Sequence, residues 1–564
     1  MSVDKFEVIN YKTNIYYSIK NLLIKHINSY KSSAYLSTLI LGDKSLLDEN
    51  TYHKYQELGV SHIFAISGMH VSILSGILFR LLYKIKDKYK YIIVISFLLF
   101  YMFLTNTSPS IVRSVVFFIL LYLNKEYDFC LDNQRLYCLC IIIILLINPF
   151  FLYNLGFLYS SIISYTLISY SYIITGNKVV KLLKISVLAM LVSLPITINS
   201  NYEINILSVI NNLIFVPLIS VIVYPLSLLT LLIKQLDLIF VFIINIIEFI
   251  SKYALVCNII IPKMNIVFII IYYVIVYIFI RTYNKKYLLL IILLLVVNKY
   301  KYFIDSSYYI YYLDVKQGDS SLIINKNDVI LIDTGGKVSF KQDEWKKQKE
   351  YYYTDNTIKL LKSLGQDNID SLIITHGDYD HMGEAINLVK NFKVEKVIFN
   401  CGPYNNLEKD LIKVLDQKKI KYYSCIKELN IDKNKLYFLQ TKEYDNENDN
   451  SNVIYTELNR YKFIFMGDAG VEKEKEIINK NNLSNIDVLK VGHHGSNTSS
   501  SKEFIDIINP KHSVISVGKN NKYGHPNKEV LNNLDNSIVY RTDEDGSIMF
   551  KIRNNKLKIE TCNI

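Results

Sequence analysis

Cysteine, charge and nucleotide-binding loops are all scarce in this chain. Its 564 residues include seven cysteines, and no two of them form a CxxC pair. That excludes a zinc ribbon and leaves no evident disulfide framework. No GxxxxGK[ST] loop occurs, so the chain has no nucleotide-driven motor of its own. The N-terminal MSVDKFEVINYK lacks the basic-then-apolar shape of a cleavable signal, which leaves membrane entry to internal segments. Only 20% of the residues are Asp, Glu, Lys or Arg, while 51% are apolar or aromatic, and mean hydropathy is +0.20. This balance excludes a disordered chain and disfavours a purely soluble one.

The charge that is present is unevenly placed. Residues 1–298 hold 24 Lys/Arg against 13 Asp/Glu, whereas residues 299–564 hold 39 against 38 and six of the ten histidines. A membrane part with basic loops and a soluble part with the chemistry accounts for this. Apolar stretches predict spans near 68–83, 91–105, 110–123, 136–153, 155–175, 183–200, 206–232, 236–257, 265–280 and 287–298. A full crossing needs about 20 residues, so the shorter ones are expected to tilt, re-enter or merge. Lys84, Lys86, Lys88 and Lys90 follow the first stretch, the next loop (TNTSPS) is uncharged, and the alternation continues with Lys263 as its main exception. The positive-inside rule puts the basic loops in the cytoplasm and residues 1–60 and 299–564 outside.

Polar residues inside such stretches either bond neighbouring helices or line a hydrophilic path. Arg113, Asn154, Asn211, Asn212, Asn245 and Glu248 are the candidates. His62 and His70 join them in GVSHIFAISGMHVSILSG, a segment rich in small residues. Pro217 and Pro225, close to Asn211 and Asn212, predict a broken helix of the kind that lines a transport pathway.

From residue 308 short β-rich runs alternate with turns and helical pieces, which predicts a layered α/β domain. Its chemistry sits in a few turns. THGDYDHMG places His376, Asp378, Asp380 and His381 directly after an apolar strand, and FMGDAG adds Asp468 at another strand end. DVLKVGHHGSN adds His493 and His494, LIDTGG adds Asp333, and GHP adds His525. Imidazole and carboxylate ligands held rigidly at strand ends suit divalent metals. Asp468 is placed to bridge two ions, and Asp333 either contacts substrate or braces a ligand. One of His493 and His494 is expected to bind metal, His493 being preferred, while the other contacts substrate or packs. His512 reads as structural.

Two resemblances follow from these residues. SHIFAISGMHVSIL is similar to the signature of the ComEC-type competence proteins, membrane channels for DNA uptake. SPSIVRS (108–114), LLINPFFLYNLGFLYS (145–160) and NNLIFVPLIS (211–220) follow in the order of that family. The turns of the second part resemble the metallo-β-lactamase superfamily, and LDVKQGDSSLI (313–323) and RTDEDGSI (541–548) resemble its competence branch. Such proteins usually begin with further spans and an OB-type domain; this chain starts beyond them, so that module is either dispensable here or missing from this polypeptide.

The resemblance implies a polytopic helical membrane bundle followed by an αββα metallo-β-lactamase-like domain. The expected organisation is an N-terminal exterior segment (1–60), a channel domain (61–298) and a hydrolase domain (299–564). One DNA strand would pass the cytoplasmic membrane while an exterior nuclease hydrolyses the other. A DNA receptor, pilus-type capture proteins and a cytoplasmic ATP-driven motor are the implied partners. Arg113, His62, His70, Asn211 and Asn212 become channel residues. His376, Asp378, Asp380, His381, Asp468, His493 and His494 become ligands of two divalent ions, with Asp380, Asp468 and His525 catalytic. Asp333, Asn450, Ser451 and Ser496 would contact substrate. The superfamily pattern is HxHxDH, and Asp378 stands where its middle His would be. That makes one site richer in oxygen, so Mn²⁺ or Mg²⁺ should compete with Zn²⁺. A membrane-anchored hydrolase whose spans only tether it is the alternative, with a nucleotide, lactone or envelope phosphodiester as substrate.

Overall fold

The computed structural model describes residues 15–337, 352–439 and 443–562; the start of the N-terminal segment lies outside them. The chain divides into two compact units. One comprises residues up to Ile259 together with Met264–Ile291, and the other comprises Ile260–Lys263 with residues from Ile292 onward.

The first unit is helical. The ten expected stretches are helices: Gly68–Leu81, Asp87–Leu104, Pro109–Glu126, Asn133–Ile147, Leu155–Ser169, Lys178–Asn201, Ser208–Leu232, Asp237–Tyr253, Ile266–Thr282 and Lys285–Ile304, the last running into the second unit. Among the described residues, Lys178–Asn201 and Ser208–Leu232 are long and apolar enough to cross a bilayer. Local chemistry sets several starts. Asn177 accepts from Val180 N–H, Asn154 from Phe157 N–H, and Asp132 from Arg135 N–H, each satisfying a donor that the first helical turn leaves unpaired. The helix expected to break near Pro217 does not break. It widens into a π-helical stretch, Leu218–Val223, and continues as Tyr224–Leu232. Pro225 lies in the first turn of that last piece, where a missing N–H costs least.

The second unit is a sandwich of two sheets with helices on both outer faces. We label its strands β1 (Tyr308–Tyr312), β2 (Ser321–Ile324), β3 (Val329–Ile332), β4 (Ser371–Ile373), β5 (Lys396–Phe399), β6 (Lys421–Ser424), β7 (Glu428–Ile431), β8 (Asn434–Phe438), β9 (Ile454–Leu458), β10 (Tyr461–Phe465), β11 (Val488–Lys490), β12 (His512–Ile515), β13 (Ile538–Arg541), β14 (Ser547–Arg553) and β15 (Lys556–Cys562). One sheet has the order β6-β5-β4-β3-β2-β1-β14-β15, and the other runs β7 to β13 in sequence order.

Side-chain alternation builds the layers. Ile330 and Ile332 point into the core between the sheets, whereas Val329 and Leu331 point to the outer helices. Phe463 and Phe465 face inward in the same way, and Ile464 faces out. Strands buried on both faces read as continuous apolar runs, as these do. Helices Tyr353–Ser363, Ala385–Asn391 and Asn406–Lys418 pack on the first sheet, and Val471–Lys480, Lys502–Ile508 and Lys528–Asn533 on the second.

The topology also locates the chemistry. β3 and β4 are adjacent and parallel, as are β10 and β11. The C-terminal ends of each pair therefore lie side by side. Asp333, His376, Asp468 and His493 each follow one of those four ends.

Candidate metal centre

Three imidazoles are held by Nδ1 and turn Nε2 toward a common centre. His381 Nδ1 lies 2.8 Å from Asp333 Oδ2, and the Asp333 carboxylate also accepts from Thr375 N–H (2.8 Å) and Thr375 O–H (2.6 Å). His376 Nδ1 lies 3.1 Å from Thr375 Oγ1 and 3.2 Å from Ser451 Oγ. His494 Nδ1 meets the carbonyl of Ser516 at 3.0 Å. A proton held on Nδ1 leaves Nε2 as a lone pair, the state that ligates a metal.

Asp468 occupies the centre. Its Oδ1 is 3.1 Å from His381 Nε2, and its Oδ2 is 3.7 Å from His494 Nε2 and 4.0 Å from His376 Nε2. Gly467 precedes it with φ +56°, and a Cβ there would stand 2.9 Å from Ser451 Cβ. Glycine both permits that turn and lets Ser451 Oγ accept from Asp468 N–H at 3.1 Å. Asp380 Oδ2 stands 3.2 Å from His494 Nε2, and half-exposed Asp378 lies 3.6 Å from His376 Nε2.

The donor set fits a divalent cation. Nε2 of His376 is buried without a hydrogen-bond partner, and Nε2 of His381 and Oδ1 of Asp468 are buried with only each other at 3.1 Å. Leaving such atoms unsatisfied costs about 1–3 kcal/mol each, and a cation at the centre would satisfy them. Ligand atoms of His376, His381 and Asp468 lie within 4.8 Å of one another, and so do those of Asp380, His381 and His494. The two groups share His381, and Asp468 reaches both.

Electrostatics favours positive charge at this centre. Burial opposes ionisation of Asp468, but His381 and His494 outweigh it and hold the carboxyl well below its ordinary range. Burial likewise works against charging His494, yet Asp468 and Asp319 push it up to about 10. Strain adds to the picture: Asp333, His493 and His494 adopt left-handed φ of 59°, 47° and 52°. Such conformations cost of order 1–3 kcal/mol each in non-glycine residues and cluster at functional sites.

The other expected residues take distinct places. His494 is buried in the cluster, while His493 stands at its edge, 26% exposed, with Nε2 3.9 Å from Asp468 Oδ2 and Nδ1 2.9 Å from Thr498 Oγ1. The pair of left-handed residues turns the second histidine inward. Asp333 is 1% exposed and engages Thr375 and His381, so it fixes the orientation of the His381 ring. Ser451 supports His376 and Asp468. Asn450 uses its side-chain amide on both backbone groups of Tyr444, and Ser496 accepts from Thr498 in the turn after His493. The ring of His525 lies 6.1 Å from that of His493 and stacks on Tyr523.

Asp319 and Lys490 escaped the sequence reading. Both are nearly buried, their charges meet at 2.6 Å, and Asp319 Oδ1 lies 3.5 Å from His494 Nδ1. A lysine inside the apolar run DVLKV was the available signal.

In the helical unit, the predicted channel residues bond to different neighbours. Buried Arg113 donates to Ser160, Tyr137 and Ser114, and Asn211 donates to the carbonyls of Leu58 and Leu255. His70 caps its own helix by accepting from Ser67 N–H at 3.1 Å. His62 lies in the short helix Ser61–Phe64. Asn212 Oδ1 is buried without a partner.

Comparison with known proteins agrees with both parts. Residues 39–286 match the family model described as "Competence protein", and residues 313–519 match that of the metallo-beta-lactamase superfamily. The chain joins a competence-protein domain to a metallo-β-lactamase domain. It is 29% identical to "ComE operon protein 3" of Bacillus subtilis (strain 168) over 595 residues, covering 98% of this chain and 76% of the relative. It is 27% identical to "Competence protein ComA" of Neisseria gonorrhoeae and 27% identical to "Recombination protein 2" of Haemophilus influenzae. Each of those two alignments covers 44% of this chain, and 33% and 29% of the respective relative. The chain thus spans about a third of their length. The chain is thus similar to competence proteins over its helical part and to the metallo-β-lactamase superfamily, a class of metal-dependent hydrolases, over its C-terminal part.

Proposed function

We propose that this chain is a multi-pass channel of the cytoplasmic membrane that passes a single DNA strand inward. In this reading residues 1–60 form an exterior segment, residues 61–298 the channel, and residues 299–564 an exterior nuclease that hydrolyses the other strand. The observation that carries the nuclease reading is the convergence of three Nδ1-held imidazoles on Asp468. The basic-loop alternation supports the exterior placement, as does the Cys401–Cys425 disulfide, since disulfides persist in oxidising compartments. A DNA receptor, pilus-type capture proteins and an ATP-driven motor inside the cell complete the system.

Two divalent ions, Mn²⁺ or Zn²⁺ with Mg²⁺ as a further option, would be held by His376, Asp378, Asp380, His381, Asp468 and His494, with His493 at the edge; when bound they supply Lewis acidity and an acidic water at neutral pH. Asp380, 31% exposed and tied to His494, orients the attacking water and accepts its proton. His525 stands beside His493 at the rim. In its protonated form it would donate to the departing oxygen.

The test is uptake of labelled duplex DNA together with Mn²⁺-dependent cleavage by the purified full chain. Asp468→Ala should abolish cleavage. Arg113→Ala should block internalisation while leaving cleavage intact. Normal internalisation in the Arg113 variant would remove that residue from the pathway, and absence of cleavage by the unaltered chain would remove the nuclease.

A further inference from the structure

We propose that a groove beside the metal centre seats the unpaired bases of a single nucleic-acid strand, which defines the form of substrate the hydrolase holds. This inference rests on the nuclease reading above and extends it. The groove is open to solvent, has a volume of about 720 Å³ and is lined by Tyr404, Asn406, Lys409, Asp410, Ile412, Lys413 and Tyr422. Nothing in the metal chemistry uses these residues.

Three observations point to a nucleic-acid strand. The first is continuity with the centre. Tyr404 is followed by Asn405, whose side-chain amide donates to the carbonyl of Gly377 at 2.6 Å, and Gly377 lies between His376 and Asp378. A Cβ on Gly377 would fall 2.0 Å from Asn405 Nδ2, so the metal loop and the groove wall touch with no room for a side chain. Asn405 also caps the helix Asn406–Lys418, whose Glu408 accepts from Asn405 N–H in return.

The second observation is the lining itself. Tyr404 and Tyr422 are half-buried, and both pack edge-on against the same ring, Phe399, at 5.3 and 6.2 Å. Lys409 and Lys413 are exposed on the adjoining helix. Asp410 is ion-paired with Lys413 at 2.7 Å, and Lys409 makes no ion pair among the described residues. Aromatic faces stack on bases of any identity, and ammonium groups follow the phosphates; together they form a sequence-tolerant seat for a single strand. Bases paired in a duplex are not available for such stacking, so a duplex should not use the groove.

The third is a covalent brace. The Cys401–Cys425 disulfide joins the two walls. Tyr404 stands three residues after one cysteine, and Tyr422 three before the other. The brace ties the turn that carries Tyr404 to the end of β6, the paired strand that carries Tyr422, and a pre-set wall lowers the ordering cost of binding.

The experiment uses the purified full chain in detergent. A twelve-residue oligothymidylate carrying 5-iodouracil is photocrosslinked without added metal, and the crosslinked peptides are mapped by mass spectrometry. In parallel, Mn²⁺-dependent hydrolysis of bis(p-nitrophenyl) phosphate reports the metal centre alone. Crosslinks should map to Tyr404 or Tyr422. They should fall at least tenfold in a Tyr404→Ala/Tyr422→Ala variant, while small-diester hydrolysis stays within twofold. A Tyr404→Phe/Tyr422→Phe variant should keep hydrolysis and the stacking-dependent affinity, which separates stacking from a folding defect. A twelve-base-pair duplex should not crosslink there. Crosslinks elsewhere only, or equal crosslinking of duplex and single strand at the groove, would overturn the proposal. Failure of the unaltered chain to hydrolyse the diester, with crosslinks still at the tyrosines, would instead overturn the nuclease reading and leave the groove standing.

Discussion

Buried polar residues occur in both units, but they do opposite work. In the helical unit, Asp237 accepts from Lys31 N–H, Ser32 N–H and Ser32 O–H, and Arg113 donates to three hydroxyls. These two groups are consumed by their neighbours and hold helices together, whereas His70 Nε2 and Asn212 Oδ1 in the same unit are buried without a partner. In the sandwich unit, His376, His381 and Asp468 are positioned by the fold and keep ligand atoms unsatisfied. What sets the sandwich unit apart is that its retained ligand atoms converge, within 4.8 Å of one another. Burial of a polar group is therefore a poor sign of function; retained bonding capacity at a convergence point is a better one.

The comparison can be broken most sharply at Asp468. Asp468→Ala removes the carboxylate that faces all three inward imidazoles. Mn²⁺-dependent phosphodiester hydrolysis should fall at least about a thousandfold, or roughly 4 kcal/mol, with little loss of helical circular dichroism. Removing the brace should come next. Cys401→Ser/Cys425→Ser releases a loop with a sequence separation of 24, and the sandwich unit should lose about 3 kcal/mol of unfolding free energy in denaturant. Asp333→Asn leaves the metal ligands in place but loosens His381 and Thr375. Its expected cost is about 10- to 100-fold in Mn²⁺ affinity, read by titration calorimetry.

The smallest effect concerns pH. Burial pushes the Glu408 carboxyl up to about 7, with Glu447 and Asp378 adding to the rise and Asn405 N–H opposing it. A carboxyl raised in the folded state binds its proton more tightly there. Its stabilising contribution is present below about pH 4.5 and is lost as pH rises through about 7. Glu408→Gln should therefore raise the unfolding free energy at pH 8 by roughly 1–2 kcal/mol and change it little at pH 4. An equal gain at both pH values would contradict the assignment.

Much of this was legible in the sequence, because long apolar stretches and strand-end turns are local signals. The ten stretches became helices, and THGDYDHMG, FMGDAG and GHHG became the loops of one cluster. Other features depend on distances that no spacing encodes. His493 and His494 are adjacent and chemically equal, and only their left-handed backbone decides which one turns inward. Cys401 and Cys425 meet because β5 and β6 are paired in parallel, a contact invisible without the sheet order. The side-chain amide of Asn450 bonds both backbone groups of Tyr444, a pairing that the spacing does not encode. The break expected at Pro217 failed because a π-helical stretch absorbs the proline without ending the helix.

The most direct measurement is metal titration of the metal-stripped full chain with Mn²⁺ and Zn²⁺, read by calorimetry and, for Mn²⁺, by electron paramagnetic resonance. Two ions per chain should bind, and both should be lost or severely weakened in a His381→Ala/Asp468→Ala variant. No uptake of either metal by the unaltered chain, or equal uptake by the variant, would contradict a metal centre at the strand ends.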